Sequence, residues 1–131
     1  MKIIQPDGWK HPRGYSNGVV AAGRQIFIAG QIGWNEREEI VSDDFAAQTA
    51  RALRNVVAVL HAAGAGPEHL VRMTWYVTDK HDYLAAASDI GNAYGEIIGA
   101  HYPAMTLVQV AALLEDRAKV EIEATAVVPV P

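Results

Sequence analysis

The chain has no cysteine. That excludes disulfide staples, thiolate nucleophiles and thiolate-bound metals, and it fits a reducing compartment, the cytoplasm by default. No apolar run approaches the roughly 18 to 20 residues that would cross a bilayer, and Met1–Trp9 lacks both the charged start and the apolar middle of a signal peptide. A soluble protein with no membrane partner is expected. Cations are also scarce: 11 Lys and Arg face 15 Asp and Glu, for a net charge of −4. Because nucleic-acid affinity rests on cations that neutralise phosphates, nucleic acid is not an expected partner. The five histidines, His11, His61, His69, His81 and His101, show no ligand spacing, so no metal is expected. There is no nucleophile elbow, and Gly30-Gln31-Ile32-Gly33 is too short for a phosphate-binding loop. Nor does any repeat, low-complexity tract or linker divide the 131 residues. Half of them are hydrophobic, enough to give one domain over 1–131 a core of its own.

What is present is a clear pattern of strands and helices. Lys119–Val128 alternates Val120, Ile122, Ala124, Ala126 and Val128 against Glu121, Glu123, Thr125 and Val127. Met105–Ala111 sets Met105, Leu107, Gln109 and Ala111 against Thr106, Val108 and Val110, so neither face reads as the polar outside of a half-solvated sheet. Upstream, Val19–Ala22 and Gln25–Gly30 read as two strands joined in a hairpin at Gly23-Arg24, and Leu70–Thr78 as a central strand. Ser42, Asp43 or Asp44 caps a helix with apolar positions Ala46, Ala50, Leu53, Val57 and Leu60, ended by Gly64. Asp79 or Asp82 opens a second, with Tyr83, Ala87, Ile90, Tyr94 and Ile97 or Ile98 in its stripe, closing at Gly99. Pro103 forces an extended start to the strand that follows.

The predicted order is β-β-α-β-α-β-β, an α+β fold with two helices of about twenty residues on one face of a mixed sheet. Two helices cover one face only. The second face therefore calls for other copies of the chain, since large apolar patches are rarely left in water, and a cyclic homo-oligomer supplies them.

Gly14-Tyr15-Ser16-Asn17-Gly18, Ile28-Ala29-Gly30-Gln31-Ile32, Gln48 with Ala52-Leu53-Arg54-Asn55, Ala62-Ala63-Gly64, Tyr76-Val77-Thr78-Asp79, Tyr102-Pro103-Ala104 and Val120-Glu121-Ile122-Glu123-Ala124 stand in a characteristic order. In that order and spacing, from Tyr15 to Val127, the chain resembles the RidA (YjgF-type) family. The resemblance implies a chorismate-mutase-like fold, a homotrimer and ligand clefts between subunits. It also implies hydrolysis of 2-imino and enamine acids to 2-keto acids and ammonia, with no metal or organic cofactor. In the archetype an arginine directly after Pro-Ala clamps the substrate carboxylate, a task suited to the guanidinium fork. Here that position is Met105, whose thioether has no charge and accepts hydrogen bonds only weakly. Ser88 stands where archetypal deaminases often carry asparagine, Ala29 replaces a serine or other residue before the glycine, and Gln109 stands where some relatives have glutamate. Tyr15, Gly30 and Glu121 match pocket positions.

These residues define the expected site, and each has a bland alternative. Imine hydrolysis needs a placed carboxyl group to move protons as water adds to carbon and nitrogen leaves. Glu121 is the candidate for this catalytic role; the alternative is a structural ion pair with Arg72 or Arg117. Tyr15, Gly30, Ser88, Met105 and Gln109 are the candidate substrate-binding residues. Tyr15 can equally plug an interface, Gly30 can serve a bulge, and Met105 can fill a gap between subunits. Arg13 and Arg72 are the two cations that can replace the missing guanidinium. The expected activity is imine or enamine deamination of a small molecule other than the archetypal 2-imino acids; the alternative is a trimeric module that binds a metabolite or a protein without turnover.

Overall fold

Alternation along the last strand sets the layers. The computed structural model describes residues 1–131, and in it β1 (Lys2–Ile4) and β2 (Gly18–Val20) form a small antiparallel ribbon. The main sheet holds β3 (Arg24–Ile32), β4 (Leu70–Val77), β5 (Ala104–Gln109) and β6 (Val120–Val128) in the order β3-β6-β4-β5. β6 runs antiparallel to both neighbours, whereas β4 and β5 are parallel. A parallel pair needs a long crossover, and residues 78–103 supply it as α2 (Lys80–Ala85) and α3 (Ala87–Ile97). With α1 (Phe45–Ala62), these helices join one core cluster with the sheet. Val120, Ile122, Ala124 and Ala126 are buried in that core, as the alternation predicts. The fold is the expected α+β arrangement of a mixed sheet with helices on one face.

Local chemistry explains the helix ends. The Asp44 carboxylate accepts the Ala47 N–H at 2.9 Å and caps α1, and Ser42 Oγ accepts the Asp44 N–H. At the far end Gly64 takes φ of +75°, and the Ala65 N–H turns back to the Leu60 carbonyl. Leu53, Leu60, Leu70, Met73 and Ile122 are fully buried, and each such side chain contributes about 1.5–3 kcal/mol.

Four expectations change. The hairpin at Gly23-Arg24 does not form: β2 pairs with β1, while Arg24 pairs with Val128. Gly23 passes so close to the Val128 carbonyl that a Cβ there would lie 2.1 Å from its oxygen, so the glycine lets β3 run onto the nine-residue β6 instead of folding back on β2. The second helix is broken at Ala86. The break leaves Tyr83 edge-on to Trp75, with ring centroids 6.2 Å apart, while Ile90, Tyr94 and Ile98 bury the stripe beyond it. In α1 the buried stripe includes Gln48, Thr49, Ala52 and Val56 with Leu53 and Leu60, whereas Ala46, Ala50 and Val57 are only half-buried. It can hold polar residues because the Thr49 hydroxyl donates to the Phe45 carbonyl and Gln48 is fully bonded. Finally, the second face of the sheet is not an apolar wall. Arg72, Thr74, Glu123 and Thr125 share a shallow depression with Phe27, which is 74% exposed midway along the edge strand β3.

Candidate functional site

Glu121 stands on the open face of β6, opposite Ile32 of β3 and Tyr76 of β4. Two residues beyond Ile28, β3 gains a residue: the register runs from Ile28 opposite Ala124 to Gln31 opposite Ile122, leaving Ala29-Gly30 as a bulge. A Cβ on Gly30 would lie 2.3 Å from the Glu121 Oε2, so the carboxylate occupies the space that the glycine leaves free. Glu121 is half-buried and, with Gly30, Ile32, Trp34, Glu115 and the fully exposed Leu114, borders a depression of about 270 Å³.

Two amide side chains that carried no site reading in the sequence hold this end of the sheet. Gln48, fully buried in α1, donates to the carbonyls of Ser42 and Arg117 at 2.8 and 3.0 Å, and its own oxygen accepts the Lys119 N–H at 2.8 Å. Lys119 leads directly into β6, so Gln48 fixes the start of the strand that bears Glu121. Gly33 makes room for it, since a Cβ there would lie 2.6 Å from the Gln48 Cα. Asn55 donates to the carbonyls of Ile32 and Trp34, which pins the end of β3. An amide inside an apolar helical stripe was the signal for Gln48.

Met105 belongs to a different place. It lies on the helix side of β5, where Trp75, Tyr83, Ile90, Tyr94 and Tyr102 join it around a cavity of about 190 Å³. Ser16 ties the amino-terminal segment to this region: its N–H donates to the Pro103 carbonyl at 3.0 Å and its hydroxyl to the Tyr102 carbonyl. The adjoining Gly14 reaches the cavity wall, and Tyr15 is 41% exposed between them. Ser88 is exposed on the first turn of α3, next to the cavity-lining Ala87 but not itself in the wall. Gln109 is not with them. It closes the opposite end of β5, where its side-chain oxygen accepts the Lys80 N–H at 2.9 Å and anchors α2.

Within one chain, therefore, Glu121 with Gly30 and Met105 with its cavity form two groups, and Gln109 stands apart from both. Met105 pairs with Met73, which pairs with Ala124, on the helix side of the sheet; Glu121 lies on the open side, beyond β4 and three residues further along β6. Neither proposed replacement for the guanidinium reaches the Met105 cavity: Arg72 points to the open face beside Glu123, and Arg13 is exposed outside the wall. Arg117 pairs with Asp43 at 3.0 Å, so it is not the partner of Glu121 or Glu123. Glu123 accepts from the Tyr76 hydroxyl at 2.5 Å. That bond, with partial burial and the charges of Glu123 and Glu121 outweighing Arg72, raises the Tyr76 phenol above its ordinary range. No three His, Asp or Glu side chains converge as metal ligands would, and no helix is long and apolar enough to cross a membrane.

The mixed sheet and the three helices on one of its faces define a class of small α+β proteins. The chain belongs to the family described as Endoribonuclease L-PSP, whose model matches residues 10–128, and is a RidA-type (YjgF) member of it. It is 33% identical over 126 residues to a RutC family protein of Pyrococcus horikoshii, covering 95% of this chain and 96% of that one. Over 108 residues it is 38% identical to the 2-iminobutanoate/2-iminopropanoate deaminase of Escherichia coli K12, covering 82% and 83% of the two chains. Among solved structures, a conserved Rid family protein of Yersinia pestis, itself of unknown function, superposes with a TM-score of 0.85 at 34% identity over 97% of this chain and 98% of that one. The TdcF protein of E. coli, solved with bound serine, has a TM-score of 0.70 at 34% identity over the same shares.

Proposed function

We propose that the protein is a cofactor-independent hydrolase of reactive imines or enamines, acting as one domain over residues 1–131 in the cytoplasm, at a cleft that a homotrimer completes. The observation that carries this is the Glu121 carboxylate set over the Gly30 bulge, with nothing but a glycine beneath it. In the reaction, water adds to the carbon of the C=N bond, the nitrogen leaves as ammonia or an amine, and a carbonyl compound remains. Glu121 takes one proton from the attacking water and delivers it to the imine nitrogen, giving a carbinolamine, then takes the proton of the new hydroxyl and delivers it to the departing nitrogen, so both protons of the water end on the amine and the carboxylate is regenerated. The kinship with a 2-iminobutanoate deaminase supports this class of substrate. Met105 removes the cation that would hold a substrate carboxylate, which directs the substrate away from 2-imino acids.

The trimer is part of the same proposal, and although the open face is largely polar, one exposed ring on it supports the association. Phe27 is 74% exposed in a sheet face, and covering such a side chain is worth about 2 kcal/mol per copy. Packing that face against another copy also offers a way to bring one chain's Glu121 and Gly30 beside the next chain's Met105 and Tyr15, two groups that a single chain holds apart. RNA cleavage, which the family description names, gains no support from a net charge of −4.

A second reading, a trimeric module that holds a small molecule without turnover, draws support from the serine-bound TdcF relative and from Met105 itself. Imines generated enzymatically in the presence of the protein separate the two. Accelerated imine loss, abolished by Glu121→Gln in a variant that sediments as the parent does, is the expected result. Ligands that raise the melting temperature without any imine turnover would establish the binding module instead.

A further inference from the structure

We propose that the cavity beneath α3 selects an uncharged, largely apolar group, aryl or branched alkyl, carrying one hydrogen-bond acceptor; the substrate is then a neutral imine rather than an imino acid. This inference rests on the hydrolytic reading above and specifies its substrate class. Four rings, Trp75, Tyr83, Tyr94 and Tyr102, with Ile90 and Met105, bound a space of about 190 Å³. Seven of the nine residues that line it are hydrophobic, and none is Lys, Arg or His. A carboxylate placed there would leave water without meeting a cation, a loss that contact with rings does not repay. The polar side chains in the wall are three phenols and one indole. Of these, the Tyr94 phenol is committed to the His101 carbonyl at 2.6 Å and is held above its ordinary range by burial, so it stays neutral.

The indole supplies the second half of the argument. Trp75 is 3% exposed, and its Nε1–H is the one buried side-chain polar atom in the protein that finds no partner. Buried donors are almost always bonded, and an orphan is costly unless something else satisfies it. The Tyr83 ring stands at 77° to the indole, an arrangement that offers at most a weak N–H to ring contact. A carbonyl or imine acceptor on a ligand seated among these rings, reached by a small shift of the side chains, would complete the donor.

The test uses three probes of similar shape with the intact protein: phenylacetamide, phenylacetate and propylbenzene, with binding read by calorimetry. Phenylacetamide is expected to bind at least about tenfold more tightly than phenylacetate, and Met105→Arg to reverse that order. Trp75→Phe, which removes the N–H while keeping a ring, is expected to weaken the amide about fivefold and to leave propylbenzene unchanged. If Trp75→Phe does not fold, the probe order in the parent and in Met105→Arg still decides. Equal or tighter binding of phenylacetate by the parent, or no binding of any probe, overturns the inference. Amide binding without turnover of any imine supports the cavity assignment and removes the hydrolytic reading. Turnover of a 2-imino acid with no preference for amide over carboxylate does the reverse.

Discussion

The Glu121 end of the sheet and the Met105 cavity are built on opposite plans. Around Glu121 the backbone is bulged, a glycine sits under a carboxylate, and the amides of buried Gln48 and half-buried Asn55 brace the strands. Around Met105 the wall is rings and aliphatics under a helix, with every side chain neutral. The first plan sets the carboxylate proposed to move protons over a glycine; the second is the wall proposed to exclude charge and measure shape. On the proposed function, chemistry and selection are separated in the chain, on the two faces of one sheet, and association between copies is proposed to reunite them. Such a division lets one half change while the other stays. In this proposal, methionine in place of arginine at position 105 alters what is held without touching the carboxylate assigned to the chemistry.

The largest expected effect comes from striking the polar half alone. Glu121→Gln keeps the shape over Gly30 but removes proton transfer, so imine turnover should fall by about two to four orders of magnitude. Probe binding to the apolar cavity should not change, and parallel calorimetry and imine-loss rates check both. A comparable loss in both readouts would mean that the halves are not independent. Next comes the link between them. Phe27→Asp lies on the open face and is expected to cost the isolated fold no more than about 0.5 kcal/mol, yet to disperse the trimer and abolish turnover with it. Sedimentation and kinetics on one preparation test this, and a fully active monomer would break the proposal that the site is shared.

How far these halves were legible in the sequence depends on which interactions write them. The strands and the core face of β6 were readable because alternation is local, and the cap at Asp44 and the stop at Gly64 were readable because each depends on a few neighbouring residues. The small ribbon was not, because Lys2–Ile4 meets Gly18–Val20 through backbone bonds that leave no side-chain pattern, and Gly23 looked like a turn while serving as a close approach to Val128. Glu121 with Gly30 was found as a pair of candidates from the family resemblance, and the structure joins them. Gln109 shares only its position with the family pattern, and within one chain its side chain instead holds the Lys80 N–H. The aromatic cavity is not legible in the sequence because Trp75, Tyr83, Tyr94 and Tyr102 come from different elements that converge only through the crossover between the parallel strands.

Smaller effects sharpen the contrast by testing what braces each half. Gln48→Leu fills the same volume but strands the carbonyls of Ser42 and Arg117 and the Lys119 N–H. Leaving such groups unpaired in the interior costs about 1–3 kcal/mol, so thermal or urea unfolding should show a loss of that size. Turnover should suffer more than cavity binding, because β6 starts at Lys119. If both decline together, Gln48 is merely a core residue rather than a brace for Glu121.

In the apolar half the matching brace is Tyr94, stacked on Tyr102 at 5.5 Å and donating to the His101 carbonyl. Tyr94→Phe keeps the stack and loses one hydrogen bond, for an expected cost of about 1 kcal/mol near neutral pH. The sign of its pH dependence is fixed by burial, which raises this phenol above its ordinary value of 10.0. The folded protein therefore keeps the proton after the unfolded chain has lost it, and the stability that Tyr94 contributes is present below pH 10 and drains away as pH climbs beyond it. Parent and variant should differ most below that point and converge above it in unfolding measurements across the alkaline range. Curves that stay parallel would show that the Tyr94 phenol does not titrate against folding, and would remove it as the neutral brace of the cavity.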